Sequence, residues 1–311
     1  MSMSINLGQA RIVDPVLTNV ARGFADQPRV GFTLFPRVPV MLAGGNIIQF
    51  GREEFRQYNL RRAPGGRTAR IPVGYSGAPY SLVQDALEVP VPREHMRDAS
   101  RQPGINLGTV ATQKGMRTIL NAIEIEQATV ARNTASYPAS NRIALAPGSR
   151  WSDAAVNPGT SIEVGREAIR TAIGLYPNVA VLSARAYAAA RQNPLILDRF
   201  KYTSAESVTT EMLARLWNIQ RVEVGQSVTV DQADVASDVW GTDVILAYTA
   251  IGAIDNAEPS FAYTYEMEGH PLVEQAYWDS STKSWIYPVT YERTPVVAGG
   301  GAGYLIQTAA A

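Results

Sequence analysis

Residues 106–135 read NLGTVATQKGMRTILNAIEIEQATVARNTA, and the spacing of their apolar positions frames the rest of the chain. Val110, Met116, Ile119, Leu120, Ile123 and Val130 recur at helical intervals, and the pattern breaks before Pro138. A helix of about 28 residues at 1.5 Å rise would reach roughly 42 Å. That length marks a spine against which other segments pack. Glu124 and Glu126 lie two apart, so they point to different faces rather than pairing as acid and base.

Upstream, residues 46–100 read as a long hairpin. Ile47-Ile48-Gln49-Phe50 is a strand candidate, and Val83, Leu87, Val89 and Val91 share one face of a period-two pattern. The intervening tip, Arg61-Arg62-Ala63-Pro64-Gly65-Gly66-Arg67, is rich in Gly, Pro and Arg. Between 52 and 70 stand Arg52, Arg56, Arg61, Arg62, Arg67 and Arg70 against Glu53 and Glu54. Pro90 and Pro92 cannot donate ladder hydrogen bonds, so this cationic ribbon is an edge or protrudes. Residues 1–45 look extended, punctuated by Pro15, Pro28, Pro36 and Pro39, with one short helix expected at 16–23. The apolar residues there, Phe24, Phe32, Leu34, Phe35 and Val38, need something to lie against. A strap across the chain's own domain and an arm across a neighbour both satisfy them.

Downstream, residues 151–258 alternate helix and strand. Ser161 can cap a helix through Leu175, Val179–Leu182 is a short buried strand, and Ser183 caps an Ala-rich helix through Gln192. Ser207 can begin a helix through Trp217, followed by strands at 221–224 and 243–248. Residues 259–311 return to strands, at 261–268, 272–278 and 285–291, with a Gly-rich turn before a last piece at 304–307.

Composition narrows the function. There are 28 Lys+Arg, 28 Asp+Glu, two His and no Cys in 311 residues, and 46% of the chain is hydrophobic. The absence of Cys removes disulfides, thiolate nucleophiles and Cys-ligated metals. No run approaches a membrane span and no signal peptide is evident, so a soluble, intracellular-type protein is expected. The net charge of zero conceals a split. Residues 1–150 hold 17 Arg and 1 Lys against 10 acids, and residues 151–311 hold 8 Arg and 2 Lys against 18. A +8 half and a −8 half suggest contact with an oppositely charged surface, either nucleic acid or the other half of an identical neighbour. Arg supplies 25 of the 28 cations, and its planar fork suits interfaces.

Catalytic signatures are missing. There is no phosphate loop and no nucleophile elbow. His95 and His270 read as surface or turn histidines. Asp231, Asp234 and Asp238 fall at helical spacing without the Gly and distal Glu of a calcium loop, and read as a solvated acidic face. No catalytic residue, metal or cofactor is assigned. A rival α/β enzyme built on 151–258 would need a deep pocket with converging polar groups. A rival DNA-binding protein would need a helix with a concentrated basic, aromatic-interleaved face, which the chain lacks.

The order of segments resembles the major capsid protein of tailed bacteriophages, with the fold named after phage Hong Kong 97. The matching pieces are Asp14-Pro15-Val16-Leu17-Thr18, Leu34-Phe35-Pro36 with Val38 and Val40, and Phe50-Gly51-Arg52-Glu53. Trp151-Ser152-Asp153 follows, then Tyr176-Pro177-Asn178 with Val181-Leu182-Ser183, and Asn193-Pro194 with Asp198 and Lys201-Tyr202. Pro259-Ser260-Phe261 with Tyr263-Thr264-Tyr265, then Gly269 with Pro271, complete the set.

The resemblance implies an α+β, Hong Kong 97-type capsid fold. Its parts would be an N-terminal arm at 1–45, an E-loop at 46–100, a peripheral domain with the spine helix at 101–150 and 259–311, and an axial domain at 151–258. It implies a homo-oligomer of hexamers and pentamers in an icosahedral head, located in the virion and assembled in the host cytoplasm. It also implies packaged double-stranded DNA held by weak non-specific contact, a portal protein, and no membrane. Because the arm begins almost at once, a separate scaffolding protein is expected. Contacts between subunits are expected from Arg52, Arg56, Arg61, Arg62, Arg67 and Arg70 of the ribbon and from Phe32 and Phe35 of the arm. Some family members cross-link through an E-loop Lys, but Lys occurs here only at 114, 201 and 283, so a non-covalent shell is expected. The alternative is an encapsulin-like bacterial nanocompartment shell that packages a cargo enzyme.

Overall fold

A computed structural model describes residues 14–22, 29–48, 61, 77–99, 106–200, 208–250 and 260–310. The first described segments are short: helix α1 (Pro15–Arg22), helix α2 (Gly31–Leu34) and strand β1 (Arg37–Val40). Asp14 caps α1, its Oδ1 accepting from the backbone N–H groups of Val16 and Leu17. Strands β2 (Gly44–Ile48) and β3 (Gly77–Ser81) pair antiparallel as a two-stranded ribbon. Strand β4 (Val83–Pro92) follows, then helix α3 (Arg93–Ala99).

Helix α4 (Leu107–Arg132) is the spine. Asn106 caps it by accepting from Gly108 and Thr109 N–H, so two of the donors left unpaired at a helix start are satisfied. Its buried face runs Ala111, Met116, Ile119, Leu120, Ile123 and Ala128, and includes the polar Glu124 and Gln127. Val110, expected in the apolar stripe, is instead 51% exposed. Gly115 lets the helix lie close to the sheet beneath it: a Cβ there would stand 3.1 Å from Val289 Cγ2.

Strand β5 (Arg142–Ala144) leads into helix α5 (Pro158–Ile173), strand β6 (Val179–Ser183), and helices α6 (Ala184–Gln192), α7 (Pro194–Phe200) and α8 (Thr210–Trp217). Strand β7 (Arg221–Gly225), the hairpin β8 (Val228–Val230) and β9 (Ala236–Asp238), and strand β10 (Val244–Ala247) complete this part. The chain returns through β11 (Ala262–Met267), β12 (Leu272–Val273), β13 (Tyr277–Asp279) and the long β14 (Ser284–Val297), and ends with β15 (Gly303–Gln307).

Two sheets carry the two cores. A six-stranded sheet is ordered β1-β11-β14-β12, with β13 and β4 also on β14. It buries Val91, Val273, Tyr287, Val289 and Tyr291 against α1 and α4. A five-stranded sheet is ordered β5-β15-β10-β6-β7, and every residue of β6 and β10 is buried. Burial on both faces explains why these strands are unbroken apolar runs rather than alternating ones.

Several expectations are corrected. Residues 83–91 do not return along 47–50 as one long hairpin; β4 pairs along its whole length with β14. The Pro90 and Pro92 argument still fits, since among the described strands β4 pairs with β14 alone and is an edge. Asn157, not Ser161, caps α5, and Ser161 instead accepts from Trp151 Nε1. Thr209 caps α8, and Ser207 lies outside the described residues. Helices α3 and α7 had no expected counterpart. The run at 272–278 divides into β12 and β13. Asp231, Asp234 and Asp238 lie on no helix; Asp231 accepts from Ala233 and Val235 N–H at the β8–β9 turn. The last strand, β15, leaves the six-stranded sheet and inserts between β5 and β10.

Candidate assembly interface

The ribbon β2–β3 pairs with no other described strand. Each strand therefore presents an edge of backbone groups, which other chains can complete. Its root is fixed by stacking: the Tyr80 ring lies on Tyr265 with centroids 4.4 Å apart and planes 11° from parallel. Burial among these rings pushes the Tyr265 hydroxyl up to about 12. Met41 and Leu42, which enter the ribbon, are 81% and 71% exposed. Of the six ribbon arginines, Arg61 is described and is exposed. Arg52, Arg56, Arg62, Arg67 and Arg70 lie outside the described residues.

The arm divides differently. Residues 30–40 form a strap on the chain's own body, with β1 pairing parallel to β11. Phe35 is fully buried and packs edge-on against Phe261 at 6.0 Å, so its contacts are intramolecular and no surface is left for a neighbour. Its carbonyl accepts from the Thr264 hydroxyl, which in turn accepts from Gln127 Nε2 of the spine. Phe32 is half-buried, with the Arg37 guanidinium 4.0 Å above its ring. Phe24 lies outside the described residues.

Glu124 is the junction of arm, spine and the turn between β9 and β10 that carries Trp240. Its Oε2 accepts from Gly31 N–H at 3.0 Å, and its Oε1 accepts from Trp240 Nε1 at 2.8 Å. Burial pushes its carboxyl above the usual range, against the pull of those donors and of Arg29. The only sequence signal was a carboxylate inside an apolar helical stripe. A second tie joins Arg132 Nε to Asp243 Oδ2 at 2.7 Å, and Asp243 Oδ1 also accepts from Thr308 N–H. A third joins Arg293, 2% exposed, to Asp85 and Glu126, each at 2.5 Å. These ties fasten the elements that carry the ribbon.

The α5 side exposes Val164 and Ile143, which border an apolar cavity of about 210 Å³ with Leu145, Val156 and Tyr304. A second exposed patch pairs Trp278 with Trp285, rings 5.6 Å apart, beside Tyr277. A cavity of about 810 Å³ opens between Arg29 and Val30, Arg117 and Asn121 of the spine, and Glu223 and Ser227. The 151–258 segment supplies most of its lining, including Tyr187 and Thr210, and alone lines two further open cavities of about 700 and 720 Å³. His95 is exposed on α3, and His270 Nδ1 accepts from Glu292 N–H beside the cis peptide bond to Pro271. Among the described residues no group of three or more His, Asp or Glu is placed to hold a metal ion. No described helix is long and apolar enough to cross a membrane.

No protein-family model matches the chain. It is 33% identical over 304 residues to the major capsid protein of Burkholderia phage BcepMu, an alignment covering 96% of this chain and 97% of that one. It is similar to the crystal structure of a phage-related protein from Bordetella bronchiseptica RB50, with TM-score 0.84, 45% identity, and coverage of 97% and 99%. It also shares its fold with the mature capsid of bacteriophage PhiM1, with TM-score 0.54, 14% identity, and coverage of 99% and 92%.

Proposed function

The chain belongs to the phage major capsid proteins and has the Hong Kong 97-type capsid fold, and from that premise we propose that its copies assemble into hexamers and pentamers of an icosahedral head enclosing double-stranded DNA. The observation that carries this reading is the 33% identity to a phage major capsid protein over nearly the whole of both chains. The molecule's own surfaces support it. A ribbon that pairs with no other described strand, exposed Met41 and Leu42 at its root, and a local excess of Arg are stabilised when a second copy covers them. The −8 half of the chain supplies the opposing charge.

The protein is structural rather than catalytic. Its other partners are a separate scaffolding protein, a portal protein and packaged DNA held by weak, sequence-independent contact. The head assembles in the host cytoplasm and becomes the virion shell. The encapsulin-like alternative has less support, because the relative that spans the whole chain at 33% identity is a phage capsid protein. Analysis of particle contents tests the proposal. Nuclease-protected double-stranded DNA in particles purified from phage-producing cells is the expected result, and a cargo enzyme with no DNA would overturn it.

A further inference from the structure

We infer that the β8–β9 hairpin of one copy seats in a groove beside α5 of the next copy, an inference that rests on the capsid reading above and names a contact within its rings. The groove has two joined parts. The apolar pit of about 210 Å³ is walled by Ile143, Leu145, Val156, Val164 and Tyr304. A cavity of about 700 Å³ adjoins it, sharing Asn157, Thr160 and Val164 with the pit and adding Arg199 and Trp217. This second part is rich in donors. Trp217 is 4% exposed, and its buried Nε1–H has no acceptor among the described residues. Helix α5 has no acid in its first turn, so its N-terminal amides favour a carboxylate there. Glu163 and Glu167 also line the cavity, but each is held by an arginine of α5, Arg166 at 2.7 Å and Arg170 at 2.6 Å. Arg199 is exposed, and no described carboxylate pairs with it.

The occupant follows from the strand order. Strands β8 and β9 pair with each other and with no other described strand. They present Val230 and Val235, each 58% exposed, beside the exposed Asp231 and Asp234. Asp231 uses Oδ1 for the amides of its own turn, and neither carboxylate meets a described Lys or Arg. The hairpin continues from β7 at one edge of the five-stranded sheet, whereas Ile143 of the pit lies on β5 at the other edge. Four strand spacings of ~4.8 Å put those edges roughly 19 Å apart, while strands three residues long reach about 10 Å. The hairpin's own groove is thus out of its reach, and a second copy supplies one. Charge runs the same way. Between Glu126 and Asp153 the chain has Arg132, Arg142 and Arg150 and no acid, and between Arg221 and Lys283 it has no Lys or Arg. Arg132 is taken by Asp243, but Arg142 is exposed on β5 and donates to a backbone carbonyl, that of Thr134. The two edges of one sheet therefore carry opposite signs. A contact between unlike edges repeats head to tail until it closes a ring. In it the valines fill the pit and the aspartates face Arg199 and the open donors.

The chain has no Cys, so an engineered pair reads the contact directly. Heads of the Val164→Cys/Val235→Cys double variant are oxidised and run on a non-reducing denaturing gel. A ladder of covalent multimers ending at pentamers and hexamers is expected, with monomers from either single variant. Monomers from intact double-variant shells overturn the inference and leave the capsid reading standing. Dimers from a single variant do the same, because like patches then face each other. Where the double variant forms no shells, charge reversal decides. Arg199→Asp and Asp234→Arg are each expected to lower the temperature at which particles dissociate, and the two together to restore it. A combined variant no more stable than the single ones overturns the inference. A wild-type chain that forms no shells overturns the inference and the capsid reading together.

Discussion

Glu124 shows how one residue can hold three parts of a subunit together. Removing its carboxylate leaves Gly31 N–H and Trp240 Nε1 buried without an acceptor, at about 1–3 kcal/mol for each orphaned donor. Relief of the desolvated charge offsets part of that. Glu124→Ala is therefore expected to lower the stability of dissociated subunits by about 2 kcal/mol in urea unfolding, and an unchanged midpoint would refute the junction role. The pH dependence has a definite sign. The folded carboxyl is held above its unfolded value, so the native state binds the proton more tightly. Its contribution to stability is fully present below the unfolded value and is lost as pH rises through the folded one. Glu124→Gln should flatten that portion of the stability profile. Gly165 gives an opposite-signed test of packing. On an exposed helix Gly→Ala gains about 1 kcal/mol. Here the new Cβ would meet Leu246 Cδ1 at 2.7 Å and Tyr304 Cδ1 at 2.8 Å. Gly165→Ala should instead destabilise by about 1–3 kcal/mol, and a raised Tm would contradict the close approach of α5 to its sheet.

At the scale of elements, the segments that carried the resemblance have identifiable tasks. Asp14 caps α1, while Thr18 exchanges hydrogen bonds with the backbone of Val273 and so docks that helix on β12. Asn193 donates to the carbonyls of Trp151, Asp153 and Val156, tying the turn that ends α6 to the loop that enters α5. Short polar signatures of this kind are legible in sequence because each solves a local backbone problem. The spine was legible for the same reason, since its stripe and its end are local. Strand partners were not. Residues 83–92 pair with 284–293, about two hundred positions away, and no local pattern names that partner over 47–50. Likewise β15 reads as a C-terminal appendage until β10 is placed beside it. Phe35 misled because an apolar arm residue looks the same in sequence whether its cover is its own core or a neighbour's. For the ribbon, whose arginines make it cationic, Arg61, Arg62 and Arg67 are expected to meet acidic residues of an adjacent copy. Replacing all three with Ala should impair assembly or lower the temperature at which particles dissociate. Shells of unchanged yield and thermal stability would remove the ribbon's charge from the account.

At the scale of the whole molecule, the neutral total is the sum of a +8 half and a −8 half, a split that can cancel between neighbouring copies. Interfaces built this way are reversible, which lets a misplaced subunit leave before a shell closes. The same composition excludes a Lys-dependent cross-link from the ribbon, because residues 46–100 contain no Lys. Mature particles boiled in detergent should therefore run as a single band near 33.7 kDa on a denaturing gel. A ladder of covalent multimers would show that another chemistry joins the subunits.

Self-assembly is the claim on which the rest depends, and electron microscopy of the chain, expressed and purified alone or with its scaffolding protein, tests it most directly. Closed shells with hexameric and pentameric units, in which the ribbon of one copy lies over the next, are the expected images. Monodisperse single subunits under both conditions would contradict the account.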